Sequence, residues 1–484
     1  MTAAVLPESV TAARPGPSEK PRRRRIRRSV AVTLALALCL GAAVWSVHVR
    51  ATATTTAHVD LYLDGVHVRP DGSLADITAH EPQEYLAGTR VLRSDADDPG
   101  AQAIAQEHRD WLASGTVPGA GTRYEGLVTG ALLDIHVLTG ATIDEGDGTT
   151  NAAPGAVVAG WTDRWRYVWP RDAAFVAAAL AVSGHTRDAV EALGFVAGMQ
   201  NQEGGFQARY LADGSGVPDG RGIQLDGNGW VLWSAATVLS QIEDDGERAA
   251  AFETLRPMVD TATDHILELT AEPPHLPPPS ADYWEVGEDD LTLGTVAPLM
   301  AGLEHVAGLY ADQGEAARAE AAAGRAAEVR TAVETTFGPS GYRRYAGEGD
   351  PLRSLLTEHG RDAATAMLLP PFTGRAPSGA EEAWLLSTEE MARPAGGVAP
   401  GAAWKRDGIS WTPETTLYAL TAAENGHPDR ATDYLDWVAD HRTASGAIPE
   451  KVLANGAPAA VAPLAWSCAN VILAVAALEE SRNL

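Results

Sequence analysis

Two cysteines in 484 residues leave no room for a disulfide framework. Cys39 lies in an apolar segment and Cys468 near the other end, so the latter reads as a buried small hydrophobe rather than a nucleophile. Positive charge is scarce after residue 50. The chain carries 37 Lys and Arg against 64 Asp and Glu, a net charge of −27, yet residues 1–50 hold nine basic side chains against two acidic ones, which leaves −34 for the rest. So acidic a body repels nucleic acid and anionic lipid and suits neutral or cationic ligands. Alternating strand patterns are nearly absent. So is any consistent repeat of 34 to 47 residues, which weighs against an open solenoid. No His or Asp cluster stands out with metal-ligand spacing, and acid–base chemistry by side chains needs neither a metal nor an organic cofactor.

What is present divides the chain. Residues 1–28 form a basic tail ending in a run of arginines between Arg22 and Arg28, and the segment 29–47 that follows has no charge for nineteen residues. That length spans a bilayer, and the arginines should stay cytoplasmic. The expectation is a single-pass membrane anchor with an extracytoplasmic body. The alternative is a secreted protein, released by signal cleavage near Ala51 to Ala53. Residues 51–99 read as a stalk with room for one hairpin, since Val59 to Val68 alternates around Asp64-Gly65 and Asp71-Gly72 is a second turn signal.

From residue 100 to 484 the pattern is one helix after another, about a dozen in all, with apolar residues at helical spacing. The connections alternate between terse ones, such as Ser183 to His185 and Asn425 to Pro428, and long aromatic ones. Stacked helical hairpins closing into a ring would gather the long connections at one end and make a pocket there.

Those long connections carry the candidate chemistry. Trp161 to Asp172 packs three Trp, one Tyr and Arg–Asp neighbours just ahead of an apolar helix. Indole faces stack on sugar C–H surfaces, and Arg and Asp fork onto vicinal hydroxyls. The same residues read equally as core aromatics and a surface ion pair. Gln224 to Trp230 places Asp226 either as an N-cap or as a hydroxyl ligand. The proline-rich run from Pro273 delivers Trp284 and Glu285, followed by Glu288, Asp289 and Asp290. An indole and nearby negative charge both raise a carboxyl pKa, as a general acid requires. Gly446 to Lys451 offers Glu450 as a second, rigidly placed carboxylate.

Taken in order, the stretches Gly155 to Gly160, Tyr167-Val-Trp-Pro-Arg-Asp172, Gln224-Leu-Asp-Gly227, Tyr283-Trp-Glu285, Trp411 before a helix, Ile448-Pro-Glu450 and Pro463 to Ser467 resemble glycoside hydrolase family 15. This family contains glucoamylases, glucodextranases and some bacterial trehalases. The resemblance covers residues 100–484. It implies an all-α fold, an (α/α)6 barrel behind the N-terminal transmembrane helix, and an inverting, exo-acting α-glucoside hydrolase that releases glucose from an oligosaccharide or disaccharide. It also implies Glu285 as general acid, Glu450 as general base, Trp169, Arg171 and Asp172 on the terminal glucose, and Trp284 and Trp411 as pocket walls, with Asp226 in the same substrate-binding set. An inverting pair stands about 6.5–9.5 Å apart to admit a water. The chain departs from the family in having Val286 after the acid and a short stretch from Trp404 to Trp411, where Arg406 and Asp407 are stand-ins for an arginine-bearing loop. The rival expectation is a membrane-anchored glycan-binding protein without catalysis.

Overall fold

The computed structural model describes residues 57–140, 142–144, 149–162, 164–347 and 360–483. The basic tail and the apolar segment 29–47 lie outside these residues. Among the described residues no helix is long and apolar enough to cross a membrane.

Twelve α-helices are described: α1 (Pro99–Ser114), α2 (Glu125–Leu138), α3 (Pro170–Val182), α4 (Thr186–Met199), α5 (Asp226–Ser240), α6 (Asp245–Leu269), α7 (Leu293–Asp312), α8 (Ala316–Thr336), α9 (Ala380–Met391), α10 (Thr412–Glu424), α11 (Pro428–Asp440) and α12 (Ala465–Asn483). Their burial sorts them into two classes. In α3 every residue from Pro170 to Ala181 is buried, and in α10 every residue from Thr412 to Ala423. Helices apolar on all sides belong in the middle of a protein. By contrast α4 buries Ala189, Ala192, Leu193 and Val196, and α8 buries Ala322, Ala326, Val329 and Val333. That single stripe at spacings of three and four marks a helix with one face on solvent.

The packing order closes a ring. Around the inside, α3 touches α5, α5 touches α7, α7 touches the 3-10 turn Ala363–Leu368, that turn touches α10, α10 touches α12, and α12 returns to α3. Each inner element has an outer partner: α4 on α3, α6 on α5, α8 on α7, α9 on the 3-10 turn, α11 on α10 and α2 on α12. This is the arrangement expected of an (α/α)6 toroid. One inner element is a single short 3-10 stretch rather than a full α-helix. Asp362 caps it by accepting from the Ala364 amide at 3.1 Å, and Pro370 and Pro371 prevent its continuation.

Small residues let the inner helices approach. A Cβ on Gly229 of α5 would lie 2.0 Å from the Pro298 carbonyl oxygen of α7. Below the ring's mouth the axis is plugged by Phe175, Trp230, Trp233, Phe372 and Trp466, whose neighbouring ring centroids are 4.9 to 6.0 Å apart. Burying each phenylalanine contributes about 1.5–3 kcal/mol. The axis is therefore a packed core, and any cavity must sit at an end.

The chain alternates outer, inner, outer, inner from α2 onward. Every connection from an outer to an inner element therefore arrives at the N-terminal ends of the inner helices. These are the long connections, and they carry the small strands: β3 (Thr142–Asp144) with β4 (Thr149–Asn151), β5 (Tyr167–Val168) with β6 (Tyr210–Leu211), and β7 (Ser410–Trp411) with β8 (Lys451–Val452) and β9 (Pro458–Ala459).

The segment expected to be a stalk is docked instead. Its hairpin pairs β1 (Leu63–Val68) with β2 (Leu74–Thr78). The turn is at Asp71-Gly72, while Asp64-Gly65 falls inside β1 at an irregularity of register. Asp64 is not a turn residue because its side chain is buried and accepts from the Ser445 amide at 2.6 Å. Leu63, Val66 and Leu74 belong to the same core as the helices, and buried Arg90 pairs with buried Asp134 of α2. Residues 57–98 are thus a brace on the outside of the helical ring.

Candidate active site

At the end where the long connections gather, a cavity of about 360 Å³ opens. Trp169, Arg171, Asp172, Trp284, Glu285, Trp411 and Glu450 line it. Of the expected site residues only Asp226 is absent from the wall.

The β5–β6 pair sets the first wall, presenting Trp169 at the N-cap of α3. The Arg209 guanidinium lies 4.6 Å over the Tyr167 ring and 5.1 Å over Trp169. Pro170 opens α3, where its missing N–H costs nothing. Arg171 and Asp172 then occupy the first turn, each about 5% exposed.

Arg171 organises the floor. One Nη donates to Asp226 at 3.1 Å, the other to Glu285 at 3.1 Å, and its Nε is 3.6 Å from Asp172. Its guanidinium also sits 5.0 Å over Trp466. Asp226 is therefore the buried support of the arginine, and it does not face the cavity. Burial pushes the Asp172 carboxyl up to about 7 against the opposing charge of Arg171. The same cause, against the same arginine, brings Asp226 to about 6.

The Trp284–Glu285 wall rests on a second arginine. Glu285 has φ of +56°, a left-handed conformation costing a non-glycine residue about 1–2 kcal/mol. Asp282 holds that turn: its carbonyl accepts from the Glu285 amide at 2.8 Å and its carboxylate from the Trp284 amide at 2.9 Å and the Thr292 hydroxyl at 2.8 Å. Arg344, fully buried, contacts Asp282 at 2.9 Å, Glu288 at 2.6 Å and Asp362 at 2.7 Å, and lies 3.7 Å over the Trp284 ring. The ring leans on bare backbone, since a Cβ on Gly401 would meet it at 2.3 Å.

The surroundings of Glu285 differ from the acidic setting expected. Glu288 turns away to Arg344, and Glu285 receives two guanidiniums, Arg171 at 3.1 Å and Arg221 at 2.6 Å. Glu450 lines the same cavity from another connection, on a backbone tied at both sides: its amide donates to the Val461 carbonyl and its carbonyl accepts from the Thr412 amide. Its carboxylate accepts from the Trp165 indole at 3.3 Å and lies 3.0 Å from the Lys451 ammonium. Lys451 faces Trp411 across the β7–β8 pair, 4.2 Å over its ring.

Sequence reasoning missed Arg221, Trp404, Lys405, Glu414 and Trp466, all of which line the cavity. The short stretch before Trp411 contributes Trp404 and Lys405 rather than Arg406 and Asp407. Trp466 stood in a quoted stretch without a role. Nothing local distinguished Glu414 or Arg221. Among the described residues no group of His, Cys, Asp and Glu could hold a metal ion.

No protein-family profile matches the chain, and no curated protein matches it in sequence. Its similarity to solved structures is broad. A wild-type glycosidase is 21% identical with a TM-score of 0.58, and a variant of a glycosidase in complex with glucose is 21% identical with a TM-score of 0.59. Each match covers 76% of this chain and 98% of the other. A bacterial glucoamylase complexed with acarbose is 17% identical over 78% of this chain, with a TM-score of 0.62. The match spans 59% of that longer protein. Glucoamylase from Saccharomycopsis fibuligera is 13% identical with a TM-score of 0.55, covering 73% of this chain and 94% of the other. The chain shares the fold of these glycosidases and glucoamylases.

Proposed function

We propose that this protein is a glycoside hydrolase that removes glucose from the non-reducing end of an α-glucoside with inversion. The observation that carries the reading is the pair of carboxyl groups, Glu285 and Glu450, on separate connections but on the wall of one aromatic cavity. Glu285 is the general acid that protonates the leaving oxygen, and Glu450 is the base that takes a proton from the attacking water. The Trp165 indole and Lys451 orient Glu450 as an acceptor. Trp169, Trp284 and Trp411 offer apolar faces to the sugar, and Arg171 and Asp172 its hydroxyl ligands. The plug beneath Trp466 makes the cavity blind, which favours attack at a chain end. The glucose complex of a structural neighbour supports the choice of sugar. The uncharged segment 29–47, with arginines before it, supports attachment to a membrane with the ring outside the cell.

The test is an anomeric proton NMR time course of the full-length protein with maltotriose, isomaltotriose and trehalose. β-Glucose appearing first from one of them is the expected result and names the linkage. Glu285→Gln should lower turnover about 10²–10⁴-fold while sugar binding persists. Firm glycan binding with no sugar released on prolonged incubation would instead favour a binding protein.

A further inference from the structure

Glu414 has no part in the roles given so far. It is the third residue of α10, where an acid ordinarily faces the helix dipole or closes a capping box onto the N-cap amide. The N-cap amide here, that of Trp411, donates to the Val398 carbonyl at 2.8 Å instead. Nor does Glu414 sit in solvent: it is 3% exposed and lines the cavity. Its Oε2 is buried with no hydrogen-bond partner among the described residues. The nearby cations are engaged elsewhere, Arg171 with Asp226 and Glu285, and Lys451 with Glu450. A buried carboxyl without a cation is stable only as the neutral acid. Burial accordingly pushes it up to about 8, its own amide opposing and the charge of Glu450 adding, with Arg171 and Lys451 acting against. Tyr283, another titratable residue of the cavity wall, is itself held neutral by burial.

A neutral carboxyl and an ionised one differ chemically. The first donates and accepts hydrogen bonds, whereas the second only accepts. We propose that Glu414 is a specificity-determining contact of the sugar site, donating a hydrogen bond from its protonated carboxyl to one hydroxyl oxygen of the terminal sugar ring. The inference rests on the proposed function, since it names a contact of that same cavity. A site built to bond a hydroxyl rejects the analogue lacking it, because its own polar group is then left unpaired.

The test is calorimetric binding of glucose and its 2-, 3-, 4- and 6-deoxy analogues to the full-length wild type, Glu414→Gln and Glu414→Ala at pH 6.5. One deoxy analogue should bind the wild type roughly tenfold more weakly than glucose. Glu414→Ala should lose that one discrimination and treat the other three analogues as the wild type does. Glu414→Gln, whose amide still donates, should retain it. A wild-type pattern in Glu414→Ala overturns the proposal. Should the alanine variant not fold, the amide variant decides: wild-type glucose affinity should fall above about pH 8 and that of Glu414→Gln should not, and parallel falls overturn the proposal. Absence of glucose binding by the wild type sinks the proposed sugar and this inference together, a result distinct from glucose bound without discrimination at Glu414.

Discussion

Arg344 and Arg171 are built from the same parts and placed to opposite ends. Each guanidinium is nearly or wholly buried, each meets three carboxylates, and each lies over a tryptophan. Arg344 is sealed from solvent, and its carboxylates come from both ends of the Trp284–Glu285 connection and from the 3-10 turn. It ties a connection to the ring. Arg171 has one carboxylate behind it, Asp226, and two on the cavity wall, Asp172 and Glu285. It therefore keeps an unfilled side on the cavity, where the proposed function places the sugar. The difference lies in what occupies that side, protein in one case and cavity in the other, and it decides whether a buried ion cluster acts as scaffold or as site.

The largest effects should separate the two. Arg344→Met leaves Asp282, Glu288 and Asp362 buried without their cation, and should cost about 3–5 kcal/mol of stability in urea unfolding. Arg171→Met strands mainly Asp226, because water in the cavity can reach the others. It should destabilise less but reduce kcat/KM by about a hundredfold or more, since both the acid and the sugar lose their guide. Equal destabilisation with unchanged turnover per folded molecule would abolish the distinction.

A smaller effect sharpens it. Asp172, at about 7, belongs to the Arg171 cluster, and Asp362, raised by burial to about 6, belongs to the Arg344 cluster. Both folded values exceed the ordinary 3.8, so the folded state holds protons that the unfolded chain releases. Their stabilising contribution is complete below about pH 4 and is lost as pH rises through 6 and 7. The difference in melting temperature between wild type and Asp172→Asn should therefore change mostly between about pH 4 and 7. For Asp362→Asn it should be complete by about pH 7. Buried His108 and half-buried His136, each lowered to about 4 chiefly by desolvation, pull the other way below about pH 6.5 in all three proteins and cancel from these differences.

The sequence reports such clusters unevenly. Helix periodicity is local, so the ring and its connections were legible within a few residues, and Trp169, Arg171, Trp284, Trp411 and Glu450 were found through stretches that resemble a family. Partners distant in sequence were not. Arg344 reaches Asp282 across 62 residues, and nothing in Tyr342 to Tyr345 signals it. Glu414 looks like any acid in a first helical turn, and only its burial reveals otherwise. Asp64-Gly65 has the dipeptide of a tight turn, but the loop around Ser445, far along the chain, claims its carboxylate. For Arg344 and Asp64 the deciding contact is a desolvated polar one whose second partner the local pattern does not contain, and for Glu414 it is burial that the local pattern does not report.

Arg221 gives the smallest effect and the closest view of Glu285. It reaches Glu285 at 2.6 Å from the side opposite Arg171, but its side chain is 37% exposed and shares Asp219. A half-exposed pair of this kind changes an equilibrium by no more than about fivefold. The comparison with Arg171 is still informative. Both guanidiniums reach the Glu285 carboxylate, but only Arg171 is buried and also holds Asp172 and Asp226. Arg221→Ala should therefore lower kcat/KM by less than about fivefold, against about a hundredfold for Arg171→Met. A loss in Arg221→Ala as large as that in Arg171→Met would mean that the exposed guanidinium, not the buried one, positions the proposed acid.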